Sequence, residues 1–292
     1  MTETGKKMNR RDFMMAGAGL AALMVTPSLL PAEELWTKGA VNAEKLGWRV
    51  GCQLYSFHTK TFEEAVQMTA RLGLKVAEGY PGHRMAATGK PISDRSAESK
   101  KLVKKILAEN GVKLAGYGVN GCDRATFEFA KEMGFEYLTC EPKPEQKAYD
   151  ELDKLVEEFD IKISVHNHPK PSPYWNYETE VKLFADHDPR IGACVDSNHF
   201  IRSGLDPIKA IQALKGRIMS FHFGDIKRTA DGLVEVPLGT GDGKVSEQLA
   251  ELQRQGFKGC FAFENERNPG ENLADIAASV KFFDETAKSL LG

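Results

Sequence analysis

Four short stretches of this chain repeat one form. They are Leu72-Gly73-Leu74-Lys75, Asn110-Gly111-Val112-Lys113, Met133-Gly134-Phe135-Glu136 and Gln255-Gly256-Phe257-Lys258. Each sets a glycine after a helical pattern and an apolar residue at the start of an extended run. Glycine there ends a helix in the left-handed conformation, where other residues are strained. From Trp48 onward, strand and helix patterns alternate. The strands are expected at Arg49–Leu54, Leu74–Ala77, Val112–Tyr117, Phe135–Cys140, Ile161–Val165, Ile191–Val195, Arg217–Phe221 and Gly259–Phe263. Helical spacing fills the intervals, as in Leu102, Val103, Ile106 and Leu107, and Thr61 with Glu64 reads as a capping box. Eight such units predict a (β/α)8 TIM barrel. A doubly wound open sheet is the competitor, weakened because no Gly-rich phosphate fingerprint follows the first strand.

The histidines say where the chemistry lies. Six of the seven follow apolar runs: His58 after Val50–Leu54, His83 after Leu74–Ala77, His166 and His168 after Ile161–Val165, His199 after Ile191–Val195 and His222 after Ile218–Phe221. Polar side chains collected at strand ends imply one shared pocket at the carboxyl-terminal face of a barrel.

Side-chain alternation sharpens this. Five strands end in Cys140-Glu141, Val165-His166, Val195-Asp196, Phe221-His222 and Phe263-Glu264. In each pair the polar member is expected to face the barrel mouth. Two residues earlier, on the same face, come Thr139, Ser164, Cys194, Ser220 and Ala262, all small enough for a crowded interior. Glu141, His166, Asp196, His222 and Glu264 therefore form a candidate metal set. Mixed carboxylate and imidazole donors suit one divalent ion: Mn, Zn, Fe, Co or Mg.

Other residues are candidate substrate contacts. Tyr55, Phe57 and His58 end the first strand and Glu78 the second. Tyr174, Trp175 and Tyr177 stand in a loop stiffened by Pro171 and Pro173, which would either stack on a sugar or anchor a lid by packing.

The beginning of the chain differs in kind. Arg10-Arg11 precedes the apolar run Met14–Val25, too short to span a bilayer. Gly17, Gly19 and Pro27 spoil a core helix there. A twin arginine before a short apolar segment resembles a twin-arginine (Tat) export signal. Residues 1–43 are expected to be signal peptide and linker, with Val41-Asn42-Ala43 as a cleavage site and 44–292 as one catalytic barrel. The protein is then exported to the periplasm with no stable membrane anchor. Five cysteines in an exported chain suggest disulfides. However, Cys52, Cys140, Cys194 and Cys260 fall inside expected strands and the count is odd, so they read as small buried hydrophobes. The net charge of −2 offers no drive toward nucleic acid. A homo-oligomer is left open.

Several motifs together resemble a family. Gly51-Cys52-Gln53-Leu54-Tyr55-Ser56-Phe57, Val165-His166-Asn167-His168-Pro169, Asp196-Ser197-Asn198-His199, His222-Phe223-Gly224-Asp225 and Pro237-Leu238-Gly239-Thr240-Gly241 are similar to the xylose isomerase-like TIM barrels. The likeness is to the exported branch of the sugar phosphate isomerase/epimerase group, from about Gly47 to the end. It implies a divalent ion held by Glu, Asp, His and Glu from the fifth to eighth strands. Asp196, His222 and Glu264 match that pattern. His166 stands where the fifth-strand Glu is usual, and Glu141, one strand earlier, is the candidate replacement. Asn198 replaces a usual Gly, and Gly224 a usual Lys, with Lys227 nearby in sequence.

The resemblance also implies a chemistry. The metal acidifies a C–H beside a sugar carbonyl, and a carboxylate or His moves the proton. Glu264 or Glu141 is the expected base, with His166 or His199 handling the other proton. His168 and Lys227 join the expected substrate contacts. The substrate is expected to be a small carbohydrate. A keto-sugar lyase, dehydratase or 3-keto-glycoside-cleaving enzyme is the alternative, because His166 breaks a symmetric pair of glutamates. An apurinic endonuclease on the same barrel is disfavoured by the neutral charge, and a non-catalytic exported sugar-binding barrel also survives.

Overall fold

The computed structural model describes residues 36–292. Eight parallel strands close into a barrel: β1 (Arg49–Gln53), β2 (Val76–Gly79), β3 (Lys113–Asn120), β4 (Tyr137–Cys140), β5 (Lys162–His166), β6 (Ile191–Asp196), β7 (Ile218–Phe223) and β10 (Cys260–Phe263). Each pairs in parallel with its neighbours, and β10 closes the ring onto β1. Helices alternate with them: α2 (Phe62–Arg71), α3 (Ala97–Glu109), α4 (Arg124–Met133), α5 (Gln146–Phe159), α6 (Tyr177–Phe184), α7 (Ser197–Arg202), α8 (Pro207–Ala213), α9 (Val245–Arg254) and α10 (Leu273–Ser289). The glycine rule holds at all four repeats, with φ of 71° at Gly73, 64° at Gly111, 79° at Gly134 and 70° at Gly256. The Thr61–Glu64 capping box opens α2.

The small-residue layer lies inside the barrel. Thr139, Ser164, Cys194, Ser220 and Ala262 are all fully buried, and the Ser164 and Ser220 hydroxyls meet at 2.7 Å between β5 and β7. The residues facing outward from the same strands, such as Val165, Val195 and Phe221, pack beneath the helices in one continuous apolar core. The five cysteines are free. No helix among the described residues is long and apolar enough to cross a membrane.

Two features depart from the expectation. The connection after β7 carries an antiparallel hairpin, β8 (Asp225–Thr229) and β9 (Gly232–Val236). Asp225 accepts backbone N–H bonds from Ile226, Gly239, Gly241 and Gly243 at 2.8–3.0 Å. The His222–Asp225 and Pro237–Gly241 motifs are therefore one folded unit.

The second departure is the boundary expected before Glu44, which falls inside a helix, α1 (Val41–Lys45). Asp284 of α10 accepts the backbone N–H of Asn42 at 2.6 Å and of Ala43 at 3.2 Å, and its other oxygen accepts the Asn42 amide at 2.8 Å. A carboxylate at a helix N-terminus satisfies orphan N–H groups and complements the dipole. Ala43 is fully buried and Thr37 bonds the Leu72 carbonyl. The segment from Thr37 is thus packed against the barrel. Arg10-Arg11 and the run Met14–Val25 lie outside the described residues.

Candidate metal centre and active site

The carboxyl ends of β5, β6, β7 and β10 deliver His166, Asp196, His222 and Glu264 to one point. One donor atom from each lies within 4.8 Å of all the others. Each position has its own support. Asp196 is the N-cap of α7, its Oδ1 accepting the His199 N–H at 2.9 Å, which leaves Oδ2 free to face His166 and His199. Asn167 clasps the Asp196 backbone, accepting its N–H at 2.8 Å and donating to its carbonyl at 2.9 Å. His222 stands between two carboxylates, with Nε2 2.9 Å from Glu78 Oε1 and Nδ1 2.9 Å from Glu264 Oε2. The second contact is close but poorly aligned, and Nδ1 has no true hydrogen-bond acceptor.

His166 is 2% exposed, and neither ring nitrogen has a hydrogen-bond partner. Buried polar atoms are normally satisfied, so an orphaned imidazole needs a reason. Its nearest charges are Glu141 Oε1 at 3.6 Å and Asp196 Oδ2 at 3.8 Å, too long for hydrogen bonds. Two imidazoles, two carboxylates and unpaired nitrogens aimed into the cluster fit a divalent cation.

The charges are strongly coupled. Burial pushes the Asp196 carboxyl up, but His199 and His166 outweigh it and hold the group below the usual carboxylate range. Glu264 is likewise lowered by His222 against its burial. Burial pushes His199 down.

Glu141 stands apart from the four-donor cluster. Its carboxylate bonds the His168 ring and accepts the Ser172 hydroxyl at 3.3 Å. Burial raises its pKa, but His166 and His168 overcome this and hold it at about 2. The five expected ligands therefore divide: four converge, and Glu141 forms an adjoining pair with His168. His168 is half exposed and links that pair to a cavity of about 370 Å³. His166, His168, His199, His222 and Glu264 all line this cavity.

The expected substrate contacts divide as well. Tyr55 lines the cavity. Phe57 does not: it is fully buried in the core, because the chain turns into a short 3-10 helix (Leu54–Phe57) after β1. His58 stacks on Tyr55, ring centroids 4.4 Å apart, and buttresses it from outside the cavity. Glu78 lies beneath His222, fully buried, rather than at the mouth. Trp175 sits under the Lys170 ammonium at 3.9 Å, away from the cavity. Its neighbour Tyr174 is buried, donating to the Pro142 carbonyl at 2.6 Å, so packing anchors this loop. Lys227 is exposed on β8 together with Arg228 and Thr229 and is not among the residues lining the cavity, because the hairpin runs out from the barrel into solvent after Ile226.

Gln53, Tyr80, Val119 and Glu266 also line the cavity and are not among the expected site residues. Gln53 was legible as the last polar residue of the first strand, on the same terms as Glu141. The other three lie on connections or at an irregular register of β3, where alternation gives no guide. Gly224 is explained by its neighbour: a Cβ there would lie 2.4 Å from Asn198 Nδ2. The Asn198 carboxamide occupies the room that a side chain at 224 would need.

No family model matches the chain, and no curated protein matches it. Solved structures do. An uncharacterised protein from Parabacteroides distasonis ATCC 8503 is 28% identical with a TM-score of 0.65, covering 82% of this chain and 99% of that one. The fold is that of the xylose isomerase-like TIM barrels. A xylose isomerase-like TIM barrel protein from Mycobacterium smegmatis, in complex with magnesium, matches with a TM-score of 0.67 at 13% identity, over 84% of this chain and 98% of that one. A D-tagatose 3-epimerase-like protein matches with a TM-score of 0.64 at 15% identity, over 84% and 100%. At such identities the last two speak for the fold.

Proposed function

We propose that this chain is a metal-dependent sugar isomerase or epimerase that removes a proton from a carbon beside a carbonyl. One observation carries the reading: four donors from four successive strands of the ring, His166, Asp196, His222 and Glu264, meet within 4.8 Å at the rim of a closed barrel. Bound there, a divalent ion would supply Lewis acidity to a carbonyl oxygen and the neighbouring hydroxyl.

The chain's own groups handle the proton. In the eight-strand ring β4 and β10 lie opposite each other, so Glu141 and Glu264 face the mouth from opposite sides. Glu141 is outside the donor cluster and ionised, and it meets the cavity through His168, which lines it, so the Glu141–His168 pair would serve as base. His168, bonded to Glu141 and half exposed, can pass the proton to solvent. His199 covers the cluster from α7. The Tyr55 and Tyr80 rings, edge to face at 5.0 Å, offer an apolar wall for a sugar.

The cavity suits a small ligand. Its lining contains no Lys or Arg, while Glu264 and Glu266 add negative charge. That favours a sugar without phosphate. The epimerase-like neighbour and the magnesium-bound neighbour support a metal-assisted sugar reaction. Loss of a β-substituent is a second reading, favoured by Glu266, whose carboxyl lines the cavity and can hand a proton to a leaving group. Export by the twin-arginine route belongs to the same proposal and rests on Arg10-Arg11.

Calorimetric titration tests the reading. Manganese or zinc should bind at one equivalent per chain, and Asp196→Asn or His222→Ala should abolish binding. A folded wild-type chain that binds neither ion would refute it.

A further inference from the structure

Four of the five cysteines lie within barrel strands and are buried: Cys52 in β1, Cys140 in β4, Cys194 in β6 and Cys260 in β10. Cys122 differs. It follows β3, immediately before Asp123, the N-cap of α4, and it is partly exposed. It borders a surface groove shared with the first residues of α4 and the outer face of α5, which Cys140 does not line. Asn120 of β3 is the register partner of Cys140, so the chain two residues later stands beside the end of β4. There Cys122 packs against the core that contains Cys140, and the two thiols interact directly. The contact with Cys140 lowers the pKa of Cys122, while the same contact, with burial, raises that of Cys140. A thiol that is accessible and readily ionised, set against a second cysteine, is the arrangement of a redox-reactive pair.

We propose that Cys122 and Cys140 are a reactive dithiol that closes to a disulfide on meeting a low-molecular-weight disulfide such as oxidised glutathione. The groove makes Cys122 the attacking residue and burial makes Cys140 the resolving one. The Cys122 thiolate attacks one sulfur of the oxidant, forms a mixed disulfide and expels one thiolate. The Cys140 sulfur then attacks the Cys122 sulfur and expels the second. The two cysteine protons end on the two departing thiolates, so two protein thiols are oxidised and one small disulfide is reduced to two thiols. The bond would tie the connection after β3 to the last residue of β4, immediately before Glu141. It needs no bound metal and stands apart from the reaction proposed above.

The test takes the full chain, reduced with dithiothreitol and then freed of it, and incubates it with oxidised glutathione under native conditions. Acid stops the exchange, and the remaining thiols are counted in denaturant. Two of the five thiols should be lost. Mass spectrometry of the digest should show one linked peptide pair, holding Cys122 and Cys140, that dithiothreitol separates. Cys140→Ser should stop with glutathione on Cys122, and Cys122→Ser should keep all its thiols. The wild-type digest decides the matter even where a variant fails to fold. A wild-type chain that keeps all five thiols, carries lasting glutathione on Cys122 or links any other pair would overturn the proposal.

Discussion

Glu78 and His222 are locked together inside the barrel, Oε1 to Nε2 at 2.9 Å, with both side chains essentially inaccessible. The same carboxylate oxygen accepts the Gln53 amide N–H at 2.8 Å. Two donors converging on one carboxylate place a proton on His222 Nε2. The other nitrogen, Nδ1, is thereby turned toward Glu264 and the cluster. Carboxylates that orient a ligating imidazole in this way tune metal sites from the second layer.

Glu78→Gln should therefore weaken divalent-ion binding by about 10–100-fold while the chain stays folded. Competition against a calibrated chelator measures this. Unchanged affinity would show that Glu78 does not set the His222 orientation.

Glu141→Gln should separate binding from turnover. The substitution removes the carboxylate paired with His168 but none of the four converging donors. Bound metal should stay at one equivalent, while kcat falls by about 10²–10⁴, the range of a lost general base. Loss of the metal along with activity would place Glu141 among the ligands.

Much of this arrangement was legible in the sequence, for a definite reason. A strand that enters a filled barrel must alternate small inward and apolar outward residues, so Ser164-Val165-His166 and Cys194-Val195-Asp196 announce both the strand and the direction of its last side chain. The helix-ending glycines marked the register between units. What escaped lies beyond the strand ends. The 3-10 turn that buries Phe57 and the hairpin that carries Lys227 outward depend on tertiary contacts with no local period, and at Tyr174 the sequence left stacking and packing open where the structure shows packing. Glu141 was legible as a rim residue, but its choice of His168 as partner depends on where the loop after β5 returns.

The hairpin gives a pH dependence. Glu235 of β9 accepts the Glu266 N–H at 2.6 Å and a bond from Arg202 at 2.9 Å. Burial nevertheless lifts its pKa from 4.5 to about 7. The folded chain then holds this proton more tightly than the unfolded chain does. Stability from this group is full below the unfolded value and declines as pH rises from 4.5 to about 7, then is constant. Glu235→Gln should remove that decline, a difference on the order of 2 kcal/mol between about pH 4.5 and pH 8. Urea denaturation at the two pH values checks it, and an identical slope in the variant would contradict it.

Asn198 and Gly224 should be energetically coupled. A Cβ at 224 would stand 2.4 Å from Asn198 Nδ2 and 3.1 Å from the Glu264 carbonyl oxygen. Gly224→Ala should cost about 1–3 kcal/mol by overpacking. In the Asn198→Ala background the same change should cost at least about 1 kcal/mol less. Additive effects in a double-mutant cycle would mean that the carboxamide does not hold that space.

The central claim is proton abstraction beside a carbonyl, and solvent exchange reads it directly. The metal-loaded chain would be incubated in D₂O with a set of unphosphorylated ketoses and 3-keto-glycosides, and deuterium at the carbon next to the carbonyl followed by NMR. The account predicts incorporation with at least one of them, abolished by Glu141→Gln with metal retained. Turnover of a sugar without any deuterium entering that position would contradict it and point instead to hydrolysis by metal-activated water.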